Sequence, residues 1–168
     1  MNEPQITISF KNVRDAFYVY CDIIKRHGKG ATDTPIASFY IGNVILSSLA
    51  CEIGLKALLV FENKHSHGHY LNELFNELSS QMRESIIQCT SYELESFNKA
   101  LSENKDHFIK WRYYYESRQL VANYDFILKL FYSIKAHLDK IKKVCQNAHL
   151  LFFTHKAPTF TSWGFVIT

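Results

Sequence analysis

Helix-breaking residues are scarce in this chain. Six glycines and three prolines are spread over 168 residues, which leaves room for long uninterrupted helices. An excess of one charge is also missing. A net +3 is too small to imply nucleic-acid binding by itself. Cysteine pairs are absent: Cys21, Cys51, Cys89 and Cys145 stand far apart with no C-x-x-C spacing. Each lies in an apolar helical stretch, where a free cysteine acts as a small hydrophobe, so a reducing compartment is expected rather than a disulfide framework. The first ten residues hold Glu3, Pro4 and Gln5 and no basic start, so no signal peptide is expected. There is no P-loop, dinucleotide fingerprint or nucleophile elbow. Gly28-Lys29-Gly30 lacks the Ser or Thr that would complete a phosphate cradle.

A membrane-length run free of charge is missing too. The charge-free stretch runs from Ile36 only to Cys51 and contains Asn43 and two serines; Glu52 and Lys56 then interrupt it. Below about 18 residues, such a run reads as a buried core helix. The chain is therefore expected to be cytoplasmic, with no membrane partner.

What is present is a globular composition, 47% apolar and 21% charged, enough for one domain with a real core. The spacing predicts a first helix over 5–27, with Phe10, Val13, Phe17, Tyr20 and Ile24 three and four apart and Gly28-Lys29-Gly30 as its stop. Thr34-Pro35 is a helix start, and the helix from there to about Asn63 is apolar nearly all round. Small residues along it, among them Gly42, Ser47 and Gly54, admit close neighbours. Short helices follow at 70–79, 81–89 and 91–104. The aromatic stretch Asp106 to Glu116 reads as a turn or helix end packed into the core.

A last long helix is expected from Asn123 to Ala148, with Tyr124, Ile127, Phe131, Ile134, Leu138, Ile141 and Cys145 as a heptad seam. The seam suits an intramolecular bundle or a dimer. The fold class is thus all-α, an up-and-down bundle around a central helix at about 35–63. The domain covers 1–148. A less regular aromatic tail, 149–168, packs on the domain or on a partner subunit.

Charge is unevenly spread. Seven acidic and three basic residues lie between His69 and Asp106, whereas six lysines face Asp139 alone from Phe126 onward. Such runs ordinarily solvate helix faces. His65-x-His67-x-His69 invites a zinc reading. The alternate spacing is not that of a helical metal motif and no Cys or carboxylate adjoins it, so no metal or other cofactor is expected. Glu52 and Lys56 are i, i+4 in the favourable order. A carboxylate in so apolar a helix needs a partner if buried, and Arg112 in the aromatic segment is the candidate.

Three elements carry a family resemblance. Glu52-x-x-Leu55-Lys56-x-Leu58-Leu59, then Gly68-His69-x-Leu71-x-x-Leu74-x-x-x-Leu78, then Phe108-x-x-Trp111-Arg112-Tyr113-x-x-Glu116 resemble prokaryotic branches of the HEPN superfamily (higher eukaryotes and prokaryotes nucleotide-binding). The likeness covers roughly residues 35–145. It implies an all-α bundle, often a homodimer, that binds or cleaves RNA in toxin–antitoxin or phage-defence systems, with a cognate antitoxin among its partners. Nucleases of the family carry Arg and His four to six residues apart. None of Arg14, Arg26, Arg83, Arg112 and Arg118 has a histidine so placed.

What the resemblance carries over is a polar cluster of Glu52, His69 and Arg112, with Lys56, Trp111, Tyr113 and Glu116 as candidate ligand contacts. The expectation is an RNA- or nucleotide-binding protein without the standard nuclease motif. The alternatives are a protein–protein interaction or dimerisation module, and a metal-independent ribonuclease pairing Arg112 with His69 or His107.

Overall fold

The apolar periodicities become seven helices, with no strand among the described residues: α1 (Phe10–Lys29), α2 (Ile36–Phe61), α3 (Leu71–Glu77), α4 (Ser80–Thr90), α5 (Leu94–Glu103), α6 (His107–Arg112) and α7 (Tyr124–Thr154). The computed structural model describes residues 9–29, 36–65, 67–113 and 122–154, without the side chains of 27–29, 36–39, 112 and 145–154. Residues 1–138 form one compact unit and 139–168 a second. The site described below lies in the first.

The fold is the all-α bundle that the sequence implies. α1, α3 and α6 all pack on α2. Val44, Ala50, Cys51, Leu55, Leu58 and Leu59 of α2 are fully buried, each leucine contributing about 1.5–3 kcal/mol on removal from water. By length and composition Tyr40–Phe61 is long and apolar enough to cross a membrane, but 61% of its most apolar window is buried inside the protein.

Close approach is concentrated at Gly54. A Cβ there would stand 2.5 Å from Ile134 Cγ2 and 3.0 Å from the Phe17 ring, so α1, α2 and α7 meet at this one position. Nearby, burial pushes the Cys51 thiol far above its usual range, with Cys21 adding to the effect. Its Sγ lies 3.6 Å from the Ile127 carbonyl. Ile127, Phe131, Ile134 and Leu138 are all buried, which puts that part of the heptad seam inside the chain.

Several boundaries differ from the sequence reading: α1 opens at Phe10 rather than at residue 5, α2 ends at Phe61 rather than about Asn63, and the 106–116 stretch holds a short helix of its own, α6. α1 passes through Gly28 and ends at Lys29. A lone glycine costs a helix about 1 kcal/mol relative to alanine and does not by itself end it. α7 continues past Ala148 to Thr154; the intervening His-Leu-Leu-Phe-Phe contains no breaker, and the β-branched and Pro-bearing sequence begins only afterwards. The rest of the expected tail, 155–168, lies outside the described residues.

The ends of α2 and α4 are tied together. Asn63 takes a left-handed conformation, φ 57°. Its N–H donates to Val60 O and that of Lys64 to Leu59 O, at 3.1 and 2.9 Å, the paired bonds of a Schellman cap. Glu62 then receives the N–H of Ser79 at 2.9 Å and its hydroxyl at 2.5 Å. The same Ser79 Oγ caps α4 by accepting from Met82 N at 3.2 Å.

Burial raises the Glu62 pKa, but hydrogen bonds from the Ser79 hydroxyl, Lys64 and the Ser79 N–H outweigh it and hold the carboxyl below its usual range. A carboxyl depressed in the folded state adds stability that is complete above the unfolded value, about 4.3. That part is lost as the pH falls through the lower folded value. Urea midpoints are therefore expected to drop in acid, below about pH 4.3, and the drop should be shallower in Glu62→Gln. An unchanged profile in that variant would sink the assignment.

A second tie joins α5 to α7. Asn104, fully buried, donates from Nδ2 to Ala100 O at 2.6 Å and accepts at Oδ1 from Asn123 N at 3.1 Å. Asn123 in turn accepts from Phe126 N at 3.1 Å, opening α7.

Candidate functional site

A carboxylate buried in an apolar helix is the most costly group in this core, and its partners define the site. Glu52 sits midway along α2 with 3% exposure. Lys56, one turn on, donates from Nζ to Glu52 Oε1 at 2.8 Å. The second partner comes from a remote stretch of chain. After the Asn63 cap the backbone reverses through a loop whose Gly68 has φ +85°, a conformation few other residues adopt. The reversal brings His69 Nδ1 to 2.8 Å from the same Oε1.

The chemistry of that contact is constrained. A carboxylate only accepts, so Nδ1 carries the proton and Nε2 is the exposed nitrogen. The His69 side chain is 63% exposed while that of Glu52 is 4% exposed. A buried acid therefore orients a surface imidazole and fixes its tautomer, as orienting carboxylates do for catalytic or ligand-binding histidines. Glu52 Oε2 has no hydrogen-bond partner among the described residues.

The surroundings are mixed in charge but rich in proton donors. Lys64, His65 and His67 are exposed on the loop leading to His69. The rings of His65 and His67 stack at 5.8 Å while His69 turns away to Glu52. The Lys105 carbonyl accepts from Leu71 N at 2.9 Å, which places the α5–α6 turn beside the start of α3.

Of the expected cluster, Glu52, Lys56 and His69 are thus brought together. Arg112 ends α6, a helix that packs on α2, but its side chain lies outside the described residues, as does all of Glu116. Trp111 is 6% exposed, edge-on to Tyr40 at 5.8 Å and stacked on His107 at 6.3 Å. Its ring is a core element, so it offers little surface for the ligand contact for which Trp111 was a candidate. Tyr113 is 46% exposed. His107 is 5% exposed.

The sequence reading missed two polar links. One is Glu62 with Ser79, for which Ser79-Ser80 ahead of an amphipathic run was the available signal. The other is His137, 7% exposed, whose Nδ1 donates to Ser133 O and whose Nε2 meets Ser85 Oγ, both at 2.7 Å. With Ser133 Oγ donating to Ile86 O at 3.0 Å, it fastens α4 to α7. No spacing rule announces a contact between residues 52 positions apart.

No protein-family model matches the chain, and neither a curated protein nor a solved structure shows significant similarity to it.

Proposed function

We propose that the chain is a HEPN-like, cytoplasmic binding protein for RNA or a nucleotide, acting in a prokaryotic defence or toxin–antitoxin setting. The single observation that supports this reading is the shared oxygen of Glu52. One buried carboxylate holds two proton donors, Lys56 and His69, at 2.8 Å each, and presents the far edge of the imidazole at the surface. When the ring is the imidazolium, both nitrogens donate, and a phosphate oxygen meeting that edge gains a charge-assisted hydrogen bond from Nε2 of a ring already oriented. Lys64 on the same loop is already paired with Glu62 at 2.9 Å. So few phosphate contacts give a shallow salt dependence.

The test is fluorescence anisotropy with a labelled single-stranded RNA oligonucleotide over a salt series. Binding at low salt is expected, with log K falling by about 0.7 per phosphate contact for each decade of salt. His69→Ala, a change at a mostly exposed side chain, should weaken it about tenfold, the effect of one charge-assisted hydrogen bond. Absence of binding at low salt overturns the reading and favours the protein–protein interaction module.

A second reading has one observation of its own. An exposed Nε2 with its tautomer fixed by a carboxylate is also the arrangement of a general base. RNA cleavage in EDTA, abolished by His69→Ala with the helical circular dichroism unchanged, would establish an atypical metal-independent ribonuclease. Binding without cleavage would dismiss it.

A further inference from the structure

A second cleft lies where the three short helices α3, α4 and α5 meet. Its volume is about 310 Å³, at the small end of ligand pockets. Its lining is part apolar, from Phe75, Ile87 and Leu94, of which Leu94 is 62% exposed. It is part polar, from Arg83 and Glu84 of α4 and the amides Asn76 and Asn98.

Arg83 is the informative residue. Its Nε is buried and has no hydrogen-bond partner among the described residues. Its one side-chain hydrogen bond among the described residues is Nη2 to Ser80 Oγ at 3.5 Å, the outer limit for a hydrogen bond. No carboxylate among the described residues pairs with it. An arginine that lines a cleft and has no carboxylate partner points to an acceptor on a ligand. Nε itself has no surface open to the cleft, so a carboxylate there meets the guanidinium through its outer nitrogens, which share the delocalised charge.

Glu84 limits what that ligand can be. Consecutive helix positions diverge around the axis and do not pair, so Arg83 and Glu84 present opposite charges to the cleft without neutralising each other. A phosphate would gain one cation and meet one carboxylate. A ligand carrying its own anion and cation side by side satisfies both charges. We propose that this cleft binds an apolar α-amino acid, its carboxylate on Arg83, its ammonium on Glu84 and its side chain against Ile87 and Leu94. The site is separate from the Glu52–His69 pair and does not depend on the reading given to it.

The test uses the full chain and three probes: L-leucine, leucinamide, which lacks the carboxylate, and N-acetylleucine, which lacks the ammonium. In an NMR titration, leucine should saturate shifts of the Asn76 and Asn98 side-chain amides. Each blocked analogue should bind about tenfold or more weakly, the loss of one charge-assisted contact. Arg83→Gln should bind leucine and leucinamide alike, and Glu84→Gln should bind leucine and N-acetylleucine alike. No saturable shift with about 10 mM leucine, a range that reaches very weak sites, overturns the proposal. So does equal binding of the three probes by the native chain. Both of those outcomes are read on the native protein, so neither requires a variant to fold.

Discussion

Lys56→Met is expected to destabilise the protein more than the double replacement Glu52→Leu with Lys56→Met. The Glu52 side chain is 4% exposed and that of Lys56 19%. Removing the ammonium alone strands a carboxylate in a helix of leucines and alanines, with an imidazole as its remaining described partner. Breaking a buried pair in this way costs about 3–5 kcal/mol. The lower end applies here because Lys56 and His69 both reach solvent. A loss of about 3 kcal/mol lowers the thermal midpoint by roughly 6–12 °C in a chain of this size.

Removing both charges also removes the desolvation that the pair had to overcome. The double variant should therefore lie within about 1 kcal/mol of the parent, or above it. Urea denaturation with unchanged m-values reads the comparison. If the double variant is as unstable as the single one, the pair is attractive beyond its desolvation cost and the account of this site fails. The same variant separates stability from binding, because a stable double variant that no longer binds RNA would place the lost affinity on the site.

The other large effect belongs to Gly54. Glycine in a helix interior is ordinarily improved by alanine, by about 1 kcal/mol. At this position the sign reverses. The added carbon would lie 2.5 Å from Ile134 Cγ2 and 3.0 Å from two Phe17 ring atoms, and Phe17 and Ile134 are both wholly buried. Neither is the free end of a flexible chain, so backbone or rotamers must shift, at about 1–3 kcal/mol. Gly54→Ala should therefore lose up to about 2 kcal/mol net, and Gly54→Val about 3 kcal/mol or more. Adding Ile134→Ala to Gly54→Ala should give a double variant more stable than the sum of the two single losses, since one change vacates the space that the other fills. Strict additivity would mean that α2 and α7 do not meet at this glycine.

Much of this architecture was legible before any coordinates. Thr34-Pro35 and the apolar run up to Phe61, interrupted by charge only at Glu52 and Lys56, announce α2, because no amphipathic stripe is available to place such a helix at a surface. The three-and-four spacing from Ile127 to Leu138 gives the inward face of α7 directly. Glu52 and Lys56 follow from helical spacing alone.

The arrival of His69 at Glu52 does not follow in the same way. It depends on two residues with positive φ, Asn63 and Gly68, which fold the chain back across 17 positions; the resemblance suggested the pairing while local spacing could not. The Arg83 cleft was not visible at all. It is made by three helices of seven, eleven and ten residues, whose mutual angles are set by the extended Leu78-Ser79 step and the left-handed Ser91. Propensity is silent about such angles. Among the clustered aromatics from Phe108 to Tyr115, composition says that some must be inside. Only packing selects Trp111 for burial and Tyr113 for the surface.

Asn104 has a consequence for how the chain tolerates change. By joining Ala100 to Asn123 through two hydrogen bonds it closes a loop that contains α6 and everything between α6 and α7, and the clasp of that loop is a buried amide rather than the intervening sequence. The entropy of closing such a loop grows only with the logarithm of its length, by about 0.6 kcal/mol per doubling. Extra residues inserted near position 118 should therefore leave α7 in register, whereas exchanging this one asparagine for leucine should release it.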